Sequence, residues 1–337
     1  MTLSMSAQFF FALIPLSIFT FLLFLYLMRI ASYDRRKNHT RATLALPSYD
    51  QVSDSFSLCT IKIKDKCFRA RIHNLQGKGD AIILLHGWPQ SSISWQPFFD
   101  ATKDLDYKII AFDQRGYSPG ARPNDIQDYT SDKLVEDVFS IADELNIHRF
   151  HLAGHDWGAA IGWAAVMSQP KRILSWTALS IPHSLAFFEA LRVDKEQKKK
   201  SRYIILFGMR WLPELLLMTS KFFVLRSIIF RWMPKLHRQE YLTILSEPGA
   251  LTATLNWYRA IGMSKKFHYN PDIKLPVLFI WGNRDPAISK QAISLQDQYI
   301  KGVYKKIELD AGHWLLERRS KLVIDNMLKH IASVAKD

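Results

Sequence analysis

Three positions in this sequence carry chemistry by type and spacing: Asp156, Asp285 and His313. Asp156 stands in Gly154-His155-Asp156-Trp157-Gly158, directly after an apolar, strand-like run and at the start of a helix-like stretch. This is the context of a nucleophile elbow, G-x-S-x-G, with Asp where Ser would stand. The flanking glycines permit a sharp turn and close packing, and a helix N-terminus behind the side chain favours its ionised form. A carboxylate needs no base to deprotonate it, so it can attack an electrophilic carbon by direct displacement. The product is an alkyl ester of the protein that water must then hydrolyse. Asp is also a common helix N-cap. The paired glycines and the residues downstream argue for the nucleophile.

After such an elbow the expected order is acid, then histidine. Val277 to Asp285 places Asp285 just beyond one strand, and Ile307 to His313 places His313 just beyond another, with Gly312 before it. Either alone could be a surface-loop residue; jointly, in this order, they are specific. His313 is expected to act as general base on the water that attacks the ester, with Asp285 orienting its ring and stabilising the imidazolium. The peptide N–H groups of Trp88 and Trp157 are the natural oxyanion hole. His86, in Leu85-His86-Gly87-Trp88-Pro89, reads as structural.

The elements that position these residues follow from hydrophobic periodicity. Phe56 to His73 alternates apolar and polar residues around Lys64-Asp65-Lys66, which predicts a β-hairpin. Short continuous apolar runs, suited to strands buried on both faces, recur at Ala81–Leu85, Lys108–Phe112, Phe150–Ala153, Ile173–Leu179, Val277–Ile280 and Val303–Leu309. Helix-like stretches separate several of them, notably Ser131–Leu145, Trp157–Ser168 and Lys290–Tyr299. Strands alternating with helices imply an α/β class with a mostly parallel, doubly wound sheet. The alternation lapses between about 182 and 274, a region rich in helix formers and aromatics that Pro213, Pro234 and Pro248 break into short helices. It reads as a lid inserted over the strand ends, where a pocket would form. The apolar run Ile204 to Met233 within it is expected to pack inward, with membrane contact as the other use.

The chain has 337 residues, 48% of them hydrophobic, enough apolar surface to exclude a disordered or fibrous protein. Cys59 and Cys67 are too few for a disulfide framework and read as free thiols near strands. No Cys/His cluster has zinc spacing, so no metal is expected. The formal net charge of +14 comes without a nucleic-acid motif. Part of it follows a stretch without charge, Phe9 to Met28, as Arg29, Arg35, Arg36, Lys37 and Arg41. A helix of that length reaches roughly 30 Å, the thickness of a bilayer's hydrocarbon core. The positive-inside rule then predicts a retained single-pass anchor with the following domain in the cytosol. A cleaved signal peptide fits less well, because no Lys or Arg precedes the apolar run. The expected organisation is an anchor over 1–30, a basic linker over 31–55, a core in two parts over 56–181 and 275–337, and the lid over 182–274.

From about Phe56 to the C-terminus, these residues resemble the α/β-hydrolase-fold epoxide hydrolases. His86-Gly87-Trp88-Pro89 matches that family's H-G-x-P, Asp113 to Tyr117 looks like its D-x-R-G-Y, and Gly312-His313-Trp314 is similar to the region of its catalytic histidine. Epoxide opening leaves an alkoxide, and family members donate to its oxygen from two lid tyrosines. The resemblance nominates Tyr258, in Leu255-Asn256-Trp257-Tyr258-Arg259, and Tyr203. After Tyr203 the family pattern continues Gln-x-Pro, whereas here Gly208 replaces the Gln and Arg210 stands where Pro is common. The resemblance implies diol formation without a cofactor, on a small-molecule epoxide. With the apolar lid and the anchor, it points to lipid-derived epoxides and to the membrane-bound animal branch, at the endoplasmic reticulum. A haloalkane dehalogenase would share the Asp elbow but commonly has Asn at the position of Trp88, and a non-catalytic, membrane-anchored binding protein would not need the three residues intact.

Overall fold

A computed structural model describes residues 53–264 and 270–334. Eight strands form one sheet: β1 Ser57–Ile63, β2 Lys66–His73, β3 Ala81–Leu85, β4 Lys108–Phe112, β5 Phe150–His155, β6 Ile173–Leu179, β7 Val277–Gly282 and β8 Tyr304–Leu309. Their order across the sheet is β1-β2-β4-β3-β5-β6-β7-β8. The hairpin β1–β2 and the β2–β4 pair are antiparallel, and every other pair is parallel. Each strand expected from the sequence is present. Cys59 and Cys67 lie on the hairpin as free thiols, opposite Ala70 and Lys62 and not each other.

The first half of the core carries α1 Gln96–Thr102, α2 Ser131–Glu144 and α3 Trp157–Ser168. Between β6 and β7 the described residues form six lid helices: α4 Ser184–Val193, α5 Lys195–Lys200, α6 Arg202–Gly208, α7 Leu212–Val224, α8 Lys235–Ser246 and α9 Ala250–Arg259. The chain then adds α10 Lys290–Leu295, α11 Leu315–Arg318 and α12 Ser320–Val334. Helix α10 stops short of the expected Tyr299, and the last four residues tighten into a 3-10 turn.

Strand alternation sorts the core into two layers. On one face Ile83, Leu85 and Leu152 pack with Leu134 of α2 and Trp163 of α3. On the other, Ile82, Leu84 and Ile109 pack with Phe98 of α1 and Met327 of α12. The continuous apolar runs are needed because both faces are covered.

The lid prolines begin helices more than they end them. Pro213 sits in the first turn of α7 and Pro234 at the N-cap of α8, where a missing N–H costs nothing. Ion pairs tie the lid to the core, Glu240 to Arg71 at 2.5 Å and Glu247 to Arg122 at 2.6 Å. Inward packing of Ile204 to Met233 is only half the outcome. Leu217, Leu225, Phe230 and Met233 are buried, but Ile205, Trp211, Phe223, Ile228 and Trp232 stand in solvent, with Ile228 64% and Trp232 61% exposed. Lid helices one layer thick have a second face that no core element covers. The expected membrane segment lies outside the described residues. Among those described, no helix is long and apolar enough to cross a membrane.

Candidate active site

Asp156 sits between β5 and α3 at φ 53°, ψ −123°, a conformation that non-glycine residues rarely adopt. Its neighbours show what holds it there. A Cβ on Gly154 would fall 2.4 Å from the carbonyl oxygen of Gly158, and one on Gly158 would fall 2.2 Å from that of Leu85. The elbow can therefore be this tight only with both glycines. The loop after β3 comes equally close, since a Cβ on Gly87 would meet the Asp156 Cβ at 2.4 Å. That approach lets the Trp88 N–H donate to Asp156 Oδ1 at 2.7 Å, while the Trp157 N–H also donates to this carboxylate. Both N–H groups expected from the sequence thus meet at one carboxyl group. His86 is buried, its Nε2 accepting from the Gln114 N–H at 3.0 Å and its Nδ1 2.9 Å from the Gly87 carbonyl oxygen, a structural role as expected.

The other oxygen of Asp156 lies 3.2 Å from His313 Nε2, and His313 Nδ1 lies 2.8 Å from Asp285 Oδ2. The three residues that 157 positions of sequence separate are in line and buried. Asp285 follows β7 and is held by the Ala287 N–H, which donates to its Oδ1 at 2.8 Å. Burial opposes charge on Asp156, but the hydrogen bond and charge of His313 outweigh it and keep the carboxyl below its usual range. For His313 burial likewise favours the neutral form, and the two flanking carboxylates overcome it, raising the imidazole well above its ordinary value.

Above this line lies a cavity of about 480 Å³, bounded by Asp156, Trp157, Tyr203 and Tyr258 and otherwise mostly by apolar side chains such as Phe187, Leu191 and Ile204. The two phenols belong to α6 and α9, with ring centroids 6.2 Å apart. Tyr258 packs edge-on against Trp88 at 5.7 Å and Trp157 at 5.1 Å, and Phe207 wedges against Tyr203 and Tyr258. Burial raises both phenols above the ordinary tyrosine value, and the Asp156 charge adds to it, so both keep their protons at neutral pH. The Tyr203 motif departs from the resembled pattern, yet its ring reaches the same cavity as Tyr258.

Residues 80–203 match the family model for the alpha/beta hydrolase fold. The chain is 31% identical over 255 residues to Epoxide hydrolase 2 of Caenorhabditis elegans, covering 73% of this chain and 72% of that protein. The chain belongs to the epoxide hydrolase family. Epoxide hydrolase 4 of Homo sapiens is 27% identical over 299 residues, covering 85% of this chain and 80% of that protein. A solved epoxide hydrolase from Bacillus megaterium superposes with a TM-score of 0.74 over 81% of this chain and all of that one. At 24% identity that likeness establishes the α/β-hydrolase fold alone.

Motif reading missed a polar chain behind His313 in this epoxide hydrolase. His155 Nε2 lies 2.9 Å from the His313 carbonyl oxygen, and its Nδ1 lies 3.0 Å from Gln90 Oε1. Gln90 in turn donates to Glu317 Oε1 at 2.5 Å. Burial pushes Glu317 up to about 7 and His155 down to about 4. The chain fixes the backbone that carries the histidine. The one signal available was an acid in an otherwise apolar run, Trp314-Leu-Leu-Glu317.

Proposed function

We propose that the protein converts lipid-derived epoxides to vicinal diols in two steps, with Asp156 as covalent nucleophile. The observation that carries this reading is the ionised Asp156 carboxylate sharing one apolar cavity with two protonated phenols. In the first step Asp156 Oδ2 bonds to a ring carbon and the carbon–oxygen bond of the ring breaks. Tyr203 and Tyr258 donate to the departing oxygen, one of them passing its proton, so that no free alkoxide leaves. Oδ1, held by the Trp88 N–H, becomes the carbonyl oxygen of the ester.

Esterification removes the Asp156 charge, one of the causes that raise His313. The imidazole then gives up its proton, which restores the tyrosine phenol, and acts as base in the second step. Water adds to the ester carbonyl while His313 takes its proton and Asp285 steadies the imidazolium. The N–H groups of Trp88 and Trp157 hold the oxyanion, and its collapse breaks the bond to the diol oxygen, which takes the proton of the re-formed Asp156 carboxyl. Support for a lipid substrate comes from the apolar cavity walls and from the uncharged stretch 9–28 with five cations after it. On the same ground we assign an N-terminal anchor in the endoplasmic reticulum membrane with the catalytic domain cytosolic. Alkaline carbonate extraction should leave the full chain in the membrane fraction; release would remove the anchor.

Trp88 stands where haloalkane dehalogenases commonly have Asn, and two phenols line the cavity; both weigh against the haloalkane alternative. The deciding experiment is diol formation by the detergent-solubilised chain on fatty-acid, aromatic and small polar epoxides. Asp156→Ala should abolish it, and His313→Gln should accumulate protein heavier by one substrate. A wild type that turns over while His313→Gln gains no mass would remove the ester from the mechanism. Conversion of small polar epoxides alone would remove the lipid substrate, and halide release without diol formation would favour the dehalogenase.

A further inference from the structure

Away from the catalytic cavity, the end of α7 and the face of α8 enclose an open groove of about 770 Å³. Phe222, Leu242 and Thr243 line it together with three cations, Arg226, Lys235 and Arg238, and no acidic side chain. The chain distorts locally to form it. Phe222 adopts φ 62°, and residues Leu225–Ile229 make a π turn, a rare departure from the α-helix that often marks functional sites.

Charge in this part of the lid is one-sided. Between 201 and 250 the sequence has seven Lys or Arg and three Glu. Each of those glutamates is already paired elsewhere: Glu214 with Arg259, Glu240 with Arg71 and Glu247 with Arg122. Among the described residues, no carboxylate pairs with Arg226, Lys235 or Arg238. Three cations around one groove repel each other, so the arrangement is stable only where water or an anion lies among them.

The chain neighbours of these cations point outward and are apolar. Phe223, Ile228, Trp232 and Leu236 are all more than half exposed. Arg231 lies over the Trp232 ring at 4.6 Å, so the indole is flanked by positive charge. Apolar side chains interleaved with Lys and Arg, with Trp among them, are the composition of a surface that lies in a bilayer interface. An acidic protein partner would use the cations but would leave four large apolar side chains in water. The sequence before the described residues carries an uncharged 9–28 stretch followed by five cations, which places a second membrane-directed feature on the same chain.

We infer that this groove binds the phosphate of anionic phospholipid headgroups in a bilayer, seating the outer face of the lid on the membrane while Phe223, Ile228, Trp232 and Leu236 enter the interface. The contact is additional to the proposed anchor and independent of the chemistry at Asp156. Each cation near an anionic surface strengthens such a contact about fivefold, so the three together are worth on the order of a hundredfold.

The test uses the full chain reconstituted in nanodiscs of phosphatidylcholine alone and of equal parts phosphatidylcholine and phosphatidylserine. Deuterium uptake over residues 222–246 should be slower in the phosphatidylserine discs, and raised salt should reverse the difference. The triple variant Arg226→Gln, Lys235→Gln, Arg238→Gln should lose it, while hydrolysing a small soluble epoxide in detergent at the wild-type rate, which shows that the variant is folded. Equal uptake in the two kinds of disc, or a difference that persists in the triple variant, would overturn the headgroup site. The same protection in phosphatidylcholine discs from inorganic phosphate would reduce it to a free-anion site, and from polyglutamate would reassign it to an acidic protein; both overturn the bilayer assignment.

Discussion

The floor of the catalytic cavity and the lid above it are built on different principles. On the floor, Asp156, Asp285 and His313 are buried, and each is fixed by a backbone group or by another member of the line. Glycines at 87, 154 and 158 stand where any Cβ would collide with neighbouring atoms. In the lid, Tyr203 and Tyr258 are set by ring against ring, the whole is tied down by ion pairs such as Arg71–Glu240, and the outer face leaves large apolar side chains in water. The proposed attack on a ring carbon needs atoms placed to a fraction of an ångström, which over-determined backbone supplies. Donation to a departing oxygen, and admission of substrates of varied shape, tolerate the softer packing of rings.

The sharpest way to break this contrast is on the floor. Asp285→Asn keeps the shape but removes the charge that orients and stabilises His313, so kcat should fall on the order of 10³- to 10⁴-fold with little change in fold. A loss below tenfold, measured by diol formation, would mean that His313 needs no orienting acid. For stability the matching probe is Trp163→Ala. Trp163 is fully buried against Trp176, with ring centroids 5.6 Å apart, and its removal should cost about 3–5 kcal/mol in denaturant unfolding.

Acid should act on both regions together. His155 on the floor, His237 in the lid and His330 in α12 are all held down to about 4 by burial, against an ordinary value of 6.5. Their folded values are depressed, so the unfolded chain binds more protons as pH falls. The stability they contribute is complete above about pH 6.5 and is lost progressively between there and about pH 4. His313 and Glu317, whose folded values are raised, act in the opposite sense, so the test is a difference between variants: between pH 6.5 and pH 4 the Tm of His237→Gln should fall less, or rise more, than that of the wild type. Parallel Tm curves for the two would contradict a buried neutral His237.

Gly87→Ala tests whether close approach, not side-chain chemistry, defines the floor. The added methyl group would lie 2.4 Å from the Asp156 Cβ, so one of the two loops must move. Displacement of a nucleophile by about 1 Å costs on the order of 10²-fold in rate. The loss should appear in kcat with KM nearly unchanged, because the cavity walls are elsewhere.

The same division governs how much the sequence discloses. Floor residues are legible because the constraints on them are local: a strand, a turn that only glycine allows, and a side chain at a fixed offset. Asp156, Trp88 and Trp157 could be assigned together for that reason, and Asp285 and His313 from their places after β7 and β8. Burial of both sheet faces made the strands equally plain, to within one or two residues. The chain from His155 through Gln90 to Glu317 was not legible, since those residues meet only after β5, the loop after β3 and α11 come together. Nor was the outward face of Ile204 to Met233, because short helices cut by prolines carry too few turns for periodicity to separate one face from the other.

The smallest expected effect lies on that outward face. Trp232 is 61% exposed, and in solution its neighbours are the guanidinium groups of Arg231 at 4.6 Å and Arg318 at 5.8 Å. Exposed cation–π contacts are worth about 0.5–1 kcal/mol, so Trp232→Ala should change detergent-solution stability by no more than about 1 kcal/mol and leave turnover of a soluble epoxide intact. Set beside Trp163→Ala, the same chemical deletion would then differ several-fold in cost, according to which region holds the ring. A loss for Trp232→Ala as large as that for Trp163→Ala would mean that the outer face of the lid is packed in solution, and that its apolar side chains are not free to meet a bilayer. A small loss in detergent, joined to slower hydrolysis of a membrane-dissolved epoxide in anionic vesicles, would instead assign this tryptophan to the interface.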